Sequence, residues 1–586
     1  MIKKIVIQSY VYKGIMHNEL SYPYRLKYWG ADTETVEGNP YSIQVSDGKN
    51  TDFLWVNSKN VLDKFLTYFE PKLWRGQVNV CYFHNLQFDL AVLLKNYHHL
   101  FEGKTKLDFT HKGVKFEFVI GRIYFGFIKF PDNKTLKLLD TQAFFTEHPS
   151  LDNLAKTLSL PVRKMAKPKR LGKVRYTSSN FINYAKNDAV VTYYIAQYII
   201  SQYKKFNTRI CVSLPQFSSR IFRHYFMRKT DHIRFPNPEI VRASILSYHG
   251  GKNGWYVQRP TVIDKCYELD IVSAYPYAMT KMPNFISNGV YSFVKSYSKK
   301  YEGIYCISGK IKNCKYPIIY DHTFKVVEGK FSNIWVTSYE LREAIKKEEV
   351  SLSTCFGFVW IPDTEETYNP FFEFTKHFFK EKVIAKTIPE RLVSKLILNS
   401  LYGKTIQTIQ SDKDKKGYTP DFFYDIVTKR YIKSTENNIF FASGMFNPFI
   451  ATLITGFVRA YIHNLEHKYS SLHTSTDSIK TLQAPYKKDL GDKLGKLKVE
   501  VYGKCYLIRN KLYLHYNNKG ELKKYGLHGF LGKPKLLLEL FMRKKTTYNV
   551  KHLFLVKEAL KQDKIPLKEE GVKRILDVDF SKIDYI

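Results

Sequence analysis

Apolar positions recur along this chain with two periods. Residues 26–35 are apolar up to Asp32-Thr-Glu34, which predicts a strand that enters a core and stops at acids. Residues two apart on a strand share a face, so Asp32 and Glu34 point the same way. Residues 265–276 have the same form, a strand ending at Asp270 and then a turn closed by Pro276. Residues 181–199 repeat at helical spacing and set Tyr184 and Asp188 on one face. Residues 390–404 predict a helix with Lys395, Asn399 and Tyr402 on one face and Gly403 as its stop. Residues 81–90 place Asn85 and Asp89 one helical turn apart, and Asn85 is also a good helix cap. Residues 470–482 predict a hairpin whose tight turn exposes Asp477.

Composition narrows the class. The 586 residues leave room for about four domains of roughly 150 residues, and 44% apolar content suits globular cores. Lys and Arg number 92 against 54 acids, a formal charge of +38 spread along the chain, which suits a long surface facing phosphate. No basic amphipathic helix stands out, no run of about 18 apolar residues appears, and the N-terminus lacks a signal-peptide core, so no membrane contact is expected. The seven cysteines include no C-x-x-C pair and read as reduced thiols in a reducing compartment, with no zinc site. The 44 Tyr and 42 Phe are mostly core, with some suited to stacking on unpaired bases.

The acids then fall into two ordered sets. Asp32, Glu34, Asp89 and Asp188 are four carboxylates able to hold two hard cations, one making hydroxide from water and one steadying a leaving 3′ oxygen. Tyr184 is placed to orient the water, and Asn85 and Phe88 to hold a frayed single strand. This layout resembles DnaQ-like 3′–5′ exonucleases. In the second set Asp270 and Asp477 bracket two Mg²⁺ ions, Lys395 neutralises a triphosphate, Tyr402 packs on the nascent base pair, and Tyr275, fixed by Pro276, packs under the incoming sugar. The order of the segments implies one enzyme that extends and trims a nucleic-acid strand.

Taken together, Asp32-Thr-Glu34, Asn85 to Asp89, Tyr184 to Asp188, Asp270-Ile-Val-Ser-Ala-Tyr-Pro276, Lys395 to Gly403 and Ser475-Thr-Asp477-Ser478 resemble the motifs of family B DNA polymerases. Tyr248-His-Gly-Gly251 and Lys511-Leu-Tyr513 resemble the Tyr-x-Gly-Gly template motif and the Lys-x-Tyr primer motif of the protein-primed subgroup, the replicative polymerases of small Bacillus phages with linear genomes. The resemblance runs from about Asp32 to Tyr513. It implies an α/β and α+β multidomain fold, a DnaQ-like exonuclease domain joined to a right-hand polymerase. It also implies metal contacts from Asp270, the Ile271 backbone and Asp477, and DNA contacts from Asn85, Phe88, Thr141, Tyr248, Gly250, Gly251, Ser273, Gly403, Lys511 and Tyr513. The cofactor is Mg²⁺, two per site, with Mn²⁺ able to substitute. Partners are primer-template DNA, deoxynucleoside triphosphates and a terminal protein primer, and the chain is expected to be a monomer in the (host) cytoplasm. Two positions depart from the pattern. Ser475 stands where the family has Asp, removing one charge near the metals, and Asp140-Thr-Gln142 stands where Ser or Thr followed by Leu is usual.

The expected organisation is an exonuclease domain at 1–195, a connecting segment at 196–260, a palm at 261–280 and 436–525, a first insertion at 281–375 for the terminal protein, fingers at 376–405, a second insertion at 406–435 for processivity and strand displacement, and a thumb at 526–586. In the thumb, Lys533, Lys535 and 543–545 track the duplex; 412–417 reads as an exposed loop tip. Three other readings stay open: a DNA-primed family B polymerase, a 3′–5′ exonuclease whose polymerase site is impaired at Ser475, and a non-enzymatic nucleic-acid scaffold.

Overall fold

The computed structural model describes residues 25–586 except 37, 102–105, 120–124, 146–149, 167, 169–176, 229–230, 232, 234–235, 287, 313, 408–420, 426–429, 436–437, 442–444 and 554–567. The loop tip expected at 412–417 and much of the second insertion lie outside the described residues. The chain forms two compact units, one of residues 1–229, 380–400 and 553–569, the other of 230–379, 401–552 and 570–586.

The first unit is built on a sheet of eight strands in the order β3-β2-β1-β4-β8-β7-β6-β5. These are β1 (Leu26–Val36), β2 (Asn39–Ser46), β3 (Thr51–Trp55), β4 (Val78–Phe83), β5 (Lys106–His111), β6 (Val114–Val119), β7 (Phe125–Lys129) and β8 (Thr135–Asp140). β1, β4 and β8 run parallel and the others antiparallel, a mixed sheet. Its helices are α1 (Val61–Phe69), α2 (Leu86–Leu93), α3 (Leu151–Thr157), α4 (Ser179–Lys205) and α5 (Leu214–Ile221). Alternation is clear in β1, where Trp29, Ala31 and Thr33 are buried while Asp32 and Glu34 are half-buried on the other face. α4 begins at the Ser178 hydroxyl, which accepts from Phe181 N. It packs on β1 at Gly30, where a Cβ would stand 2.2 Å from Tyr193 N. Only glycine lets helix and strand backbones come this close.

The second unit opens with α6 (Pro238–Ser247), β9 (Lys252–Trp255), β10 (Thr261–Ile271) and α7 (Ala274–Lys281). A four-stranded sheet follows in the order β11-β14-β12-β13, from β11 (Val290–Val294), β12 (Gly303–Ile311), β13 (Lys330–Thr337) and β14 (Val350–Ile361), with α8 (Ser338–Lys346) before β14. Helices α9 (Pro370–Ile384) and α10 (Ile388–Ser400) come next, and 380–400 clusters with the first unit. β15 (Asp421–Asp425), β16 (Arg430–Thr435) and β17 (Asn438–Phe441) form a three-stranded sheet. The long α11 (Pro448–Tyr469) is buried along most of its length. The central sheet runs β22-β21-β20-β10-β19-β18-β9, from β18 (His473–Thr476), β19 (Ser478–Thr481), β20 (Leu497–Arg509), β21 (Leu512–Tyr516) and β22 (Leu522–Leu527). After α12 (Pro534–Met542), β23 (Thr547–Leu553) pairs with β24 (Lys568–Ile575), and β25 (Asp584–Tyr585) adds to β10 in parallel.

Arg459 of α11 is fully buried and ties distant segments of the second unit together. Its Nε donates to Glu340 Oε1 at 2.7 Å, and its Nη1 donates to the carbonyls of His249 and, at 3.0 Å, Gly250. Glu340 completes a capping box with Thr337 at the start of α8. A buried pair of this kind loses hydration on both sides and Arg459 Nη2 is left without a hydrogen-bond partner, so the value of the pair lies in fixing geometry rather than in net stability.

Three local expectations are corrected. Pro276 does not close a turn but lies in the first turn of α7, where a missing N–H costs nothing. Tyr402 does not share a face with Lys395 and Asn399, because α10 ends at Ser400 and residues 402–405 tighten into a 3₁₀ turn. Gly403 sits inside that turn without left-handed backbone, so it is not a glycine stop.

Candidate active sites

In the first unit, β1 and α4 bring three acids together. Oxygens of Asp32, Glu34 and Asp188 lie within 4.8 Å of one another, a grouping that can hold a metal ion. Asp89 is buried on α2 and accepts from Thr33 Oγ1 at 2.8 Å. Burial, then Asp89, Glu34 and Asp188, push the Asp32 carboxyl well above the carboxylate range, against Lys164. Burial likewise raises Asp89, opposed by the Thr33 hydrogen bond. Tyr184 is buried one turn before Asp188, and burial, Asp188, Glu34 and Asp32 raise its phenol. Like charges held this close need a cation to ionise together.

The side chain that sequence reasoning missed is Lys164. Its ammonium is ion-paired with Asp188 Oδ2 and lies 5.6 Å from the centre of the Tyr184 ring. Asn187 delivers it: its Oδ1 accepts from Met165 N at 2.7 Å and its Nδ2 donates to Arg163 O at 3.1 Å. Lys164 lies in a coil with no periodicity, so only its place beside Asp188 marks it.

Asn85 has left-handed backbone at φ 72° and an exposed side chain at the N-terminus of α2. It does not cap the helix through its own side chain. Asp140 does that instead, accepting from Asn85 N at 3.0 Å and Leu86 N at 3.1 Å. Phe88 is half-buried against the core. Thr141 is fully buried, with Oγ1 2.9 Å from His84 Nδ1.

In the second unit, the strand end of β10 and the β18–β19 turn carry the second pair. Asp270 pairs with Ser478, and Ile271 N donates to Asp477 O at 3.0 Å. Thr476, at φ 58°, makes the turn that presents Asp477. Burial and then Asp477 push the Asp270 carboxyl up to about 7, against the Lys524 ammonium. Lys524 Nζ lies 3.9 Å from Asp270 Oδ1 and 2.9 Å from Glu268 Oε1. Glu268 is fully buried, with Lys480 Nζ at 2.7 Å and His515 Nδ1 at 3.0 Å, and these partners hold its carboxyl well below the usual range. Neither Glu268 nor Lys524 stood out in the sequence; Glu268 lies two residues before Asp270 on the same strand face, and strand pairing brings Lys524 to both.

Tyr275 stacks on Tyr402, with ring centroids 4.3 Å apart and planes 3° from parallel. Burial, then Tyr248 and Asp477, push the Tyr402 phenol up to about 12. Gly251 packs beneath: a Cβ there would stand 2.5 Å from Thr476 Cγ2 and 3.0 Å from the Tyr275 hydroxyl. Gly250 faces open space. Ser273 starts α7 with φ 53°. Lys511, at φ 58°, donates its N–H to His473 Nε2 at 3.3 Å, and Tyr513 is buried with Lys480 Nζ 3.8 Å from its ring centre. Lys395 and Asn399 lie on α10, grouped with the first unit.

Residues 16–204 match the 3′-5′ exonuclease family, and residues 173–418 match DNA polymerase type B, organellar and viral. A probable DNA polymerase of Agaricus bitorquis is 23% identical over 306 residues, 47% of this chain. A DNA polymerase of Acidianus bottle-shaped virus is 26% identical over 292 residues, 45% of this chain. Each alignment spans 37% of the relative's length. Among solved structures, Phi29 DNA polymerase with primer-template DNA superposes with a TM-score of 0.64 at 17% identity, covering 94% of this chain and 100% of that one. Its ternary complex with primer-template DNA and incoming nucleotide gives 0.65, over 94% and 98%. At that identity the likeness shows the fold. No described helix is long and apolar enough to cross a membrane.

Proposed function

We propose that this chain, which resembles protein-primed family B DNA polymerases in its family matches and fold, is a template-directed DNA polymerase with a 3′–5′ proofreading exonuclease. The observation that carries the reading is the pair of separate carboxylate sites, Asp32–Glu34–Asp188 in one unit and Asp270–Asp477 in the other, where burial first and neighbouring carboxylates second raise Asp32 and Asp270. Crowded acids that resist ionising fit divalent cations. Mg²⁺, two per site with Mn²⁺ as a substitute, supplies when bound a nucleophile of lowered pKa and charge neutralisation at the leaving oxygen.

In the trimming site Asp32, Glu34, Asp89 and Asp188 hold the cations, Tyr184 orients water, and Asn85 and Phe88 keep the single strand. Lys164 steadies Asp188. In the extending site Asp270, Asp477 and the Ile271 backbone hold the cations. Tyr275 packs under the sugar of the incoming deoxynucleotide, Tyr402 packs on the nascent pair, and Lys395 and Asn399 meet the triphosphate. Tyr248, Gly250, Gly251, Ser273 and Gly403 contact the template strand, and Lys511 and Tyr513 the primer end.

The primer is a hydroxyl on a terminal protein docked on 281–375, and the chain works as a monomer with strand displacement in the host cytoplasm. The Tyr-x-Gly-Gly sequence supports this over DNA priming. Primer extension with Mg²⁺, with and without deoxynucleotides, tests the two activities. Growth with nucleotides and shortening without them is expected, while shortening in both leaves an exonuclease with an impaired polymerase site. Nucleotide transfer to a terminal protein, compared with a DNA primer, tests the priming.

A further inference from the structure

The cysteine spacing offers no zinc site, but α11 carries a different ligand pattern that neither proposed active site uses. His463-Asn-Leu-Glu466-His467 sets two histidines four apart with a glutamate between, the H-x-x-E-H spacing known from zinc-binding helices. Residues four apart on a helix share a face. Glu349, at the start of β14, meets that face: its Oε1 lies 3.2 Å from His463 Nε2 and 3.0 Å from His467 Nε2. One ligand atom from each of the three lies within 4.8 Å of the others.

We propose that His463 Nε2, His467 Nε2 and Glu349 form a structural zinc site, with Cys314 at the fourth position.

Two buried atoms point to an ion. His463 Nε2 and Glu349 Oε2 are shielded from solvent and lack a hydrogen-bond partner, although both residues are buried. The 3.2 Å approach of His463 to Glu349 thus lacks hydrogen-bond geometry. Such off-axis contact fits two ligands sharing one cation. Cys314 is placed by its neighbours. Lys312 N donates to Glu349 O at 2.9 Å and the Tyr316 ring packs on His467 at 5.0 Å, so residue 314 lies between two segments that touch the ligands, with its thiol outside the three-atom grouping and a turn toward it required on metal binding.

The same spacing occurs in zinc peptidases, where the glutamate acts as base. Here Glu466 is not available for that. Its Oε1 accepts from Tyr256 at 2.6 Å and Thr474 at 2.7 Å, and its Oε2 is ion-paired with Lys252. Its Oε2 also faces His463 Nδ1 at 3.9 Å, the carboxylate behind a ligating imidazole. Lys252 Nζ lies 3.4 Å from the same Nδ1, a long contact beside its pairing to Glu466. The site is closed and has no base, so it would staple α11 to the four-stranded sheet rather than hydrolyse anything.

The test is elemental analysis of the full chain, purified without chelator and washed with Mg²⁺. About one zinc per chain is expected, falling to about zero in His463→Ala and Glu349→Gln and unchanged when Asp32 and Asp477 are both replaced by Asn. Cobalt substitution should give the visible bands of a four-coordinate ion, and Cys314→Ser should remove the thiolate band. His467→Cys keeps a ligand, so it should retain metal with a shifted cobalt spectrum even if His467→Ala folds poorly. Metal-free wild type that takes up neither zinc nor cobalt, or zinc content indifferent to His463, Glu349 and His467, overturns the proposal and leaves a hydrogen-bonded cluster.

Discussion

Gly30 lies so close to Ala189 that a Cβ on Gly30 would stand 2.5 Å from the Ala189 carbonyl oxygen. This contact sets the spacing between β1 and α4, and Asp32 and Asp188 follow from it. Gly30→Ala must therefore lift the helix and separate the acids. Misplacement by about 1 Å costs about 100-fold in rate, so 3′–5′ trimming of a single strand should fall by about that factor. Nucleotide addition should be unaffected. Equal loss of both activities would show that Gly30 serves the fold as a whole.

Asn187 acts through Lys164. Removing its amide in Asn187→Ala frees the 163–165 backbone and leaves Lys164 without a fixed place beside Asp188. Trimming should drop about tenfold, the lower end of the roughly 10–100-fold lost when the outer partner of a metal ligand is removed. Lys164→Ala should cost at least as much, and the double variant no more than Lys164→Ala alone. Additive losses would separate the two residues.

The Asp270 carboxyl, raised to about 7 by burial and Asp477, predicts a pH trend in stability. The folded value exceeds the unfolded one, so the folded chain binds the extra proton between about pH 4 and 7. Stability from this group is full below that window and lost as pH rises through it. Asp270→Asn should stabilise the metal-free protein by on the order of 2 kcal/mol at pH 8, net of its lost contact with Lys524, and should give no gain near pH 4. Thermal melts at both pH values check this. Mg²⁺ should raise the wild-type melting temperature at pH 8 more than that of the variant.

Tyr275 is held by its stack on Tyr402 and by close packing at Gly251. Tyr275→Val opens the space beneath the incoming sugar, so ribonucleotide incorporation should rise by about 10-fold or more, the worth of about 1.4 kcal/mol. Tyr402→Ala should loosen the same ring and raise it less. Unchanged selectivity in both would remove Tyr275 as the gate.

Ser475→Asp restores the missing charge near Asp477. Nucleotide addition at limiting Mg²⁺ should increase several-fold, because an added carboxylate strengthens a hard-cation site. A fall would mean that the hairpin has adjusted to serine, whose carbonyl already accepts from Asp477 N at 2.7 Å.

Strand and helix periodicity made much of this legible. β1 runs buried through Trp29, Gly30 and Ala31 and then stops at Asp32 and Glu34, and α4 shows its buried stripe, so the acids on each could be placed on a face. What periodicity cannot carry is where a chain stops repeating. Tyr402 leaves the helical face because α10 ends two residues earlier. Lys164 lies in coil, and its meaning comes from Asp188, 24 residues on, with Asn187 fixing the neighbouring backbone. Glu268 reads as one more polar position, yet strand pairing surrounds it with Lys480, His515 and Lys524. Thr141, expected to contact DNA, is fully buried with its hydroxyl 2.9 Å from His84 Nδ1, a partner that no spacing announces.

The Arg459 guanidinium also sets a timetable for the ribosome. Its partners Glu340 and the His249 carbonyl are made 119 and 210 residues earlier. At roughly 5–20 residues per second, Glu340 waits about 6–24 s for its counter-ion during synthesis. β10 waits longer still, because Ile586 N donates to Val262 O and Asp264 N to Ile586 O. Nascent chains should thus hold the Asp270 strand in an incomplete sheet until residues 584–586 emerge, a long exposure to chaperones and proteases for the unit proposed to extend the strand.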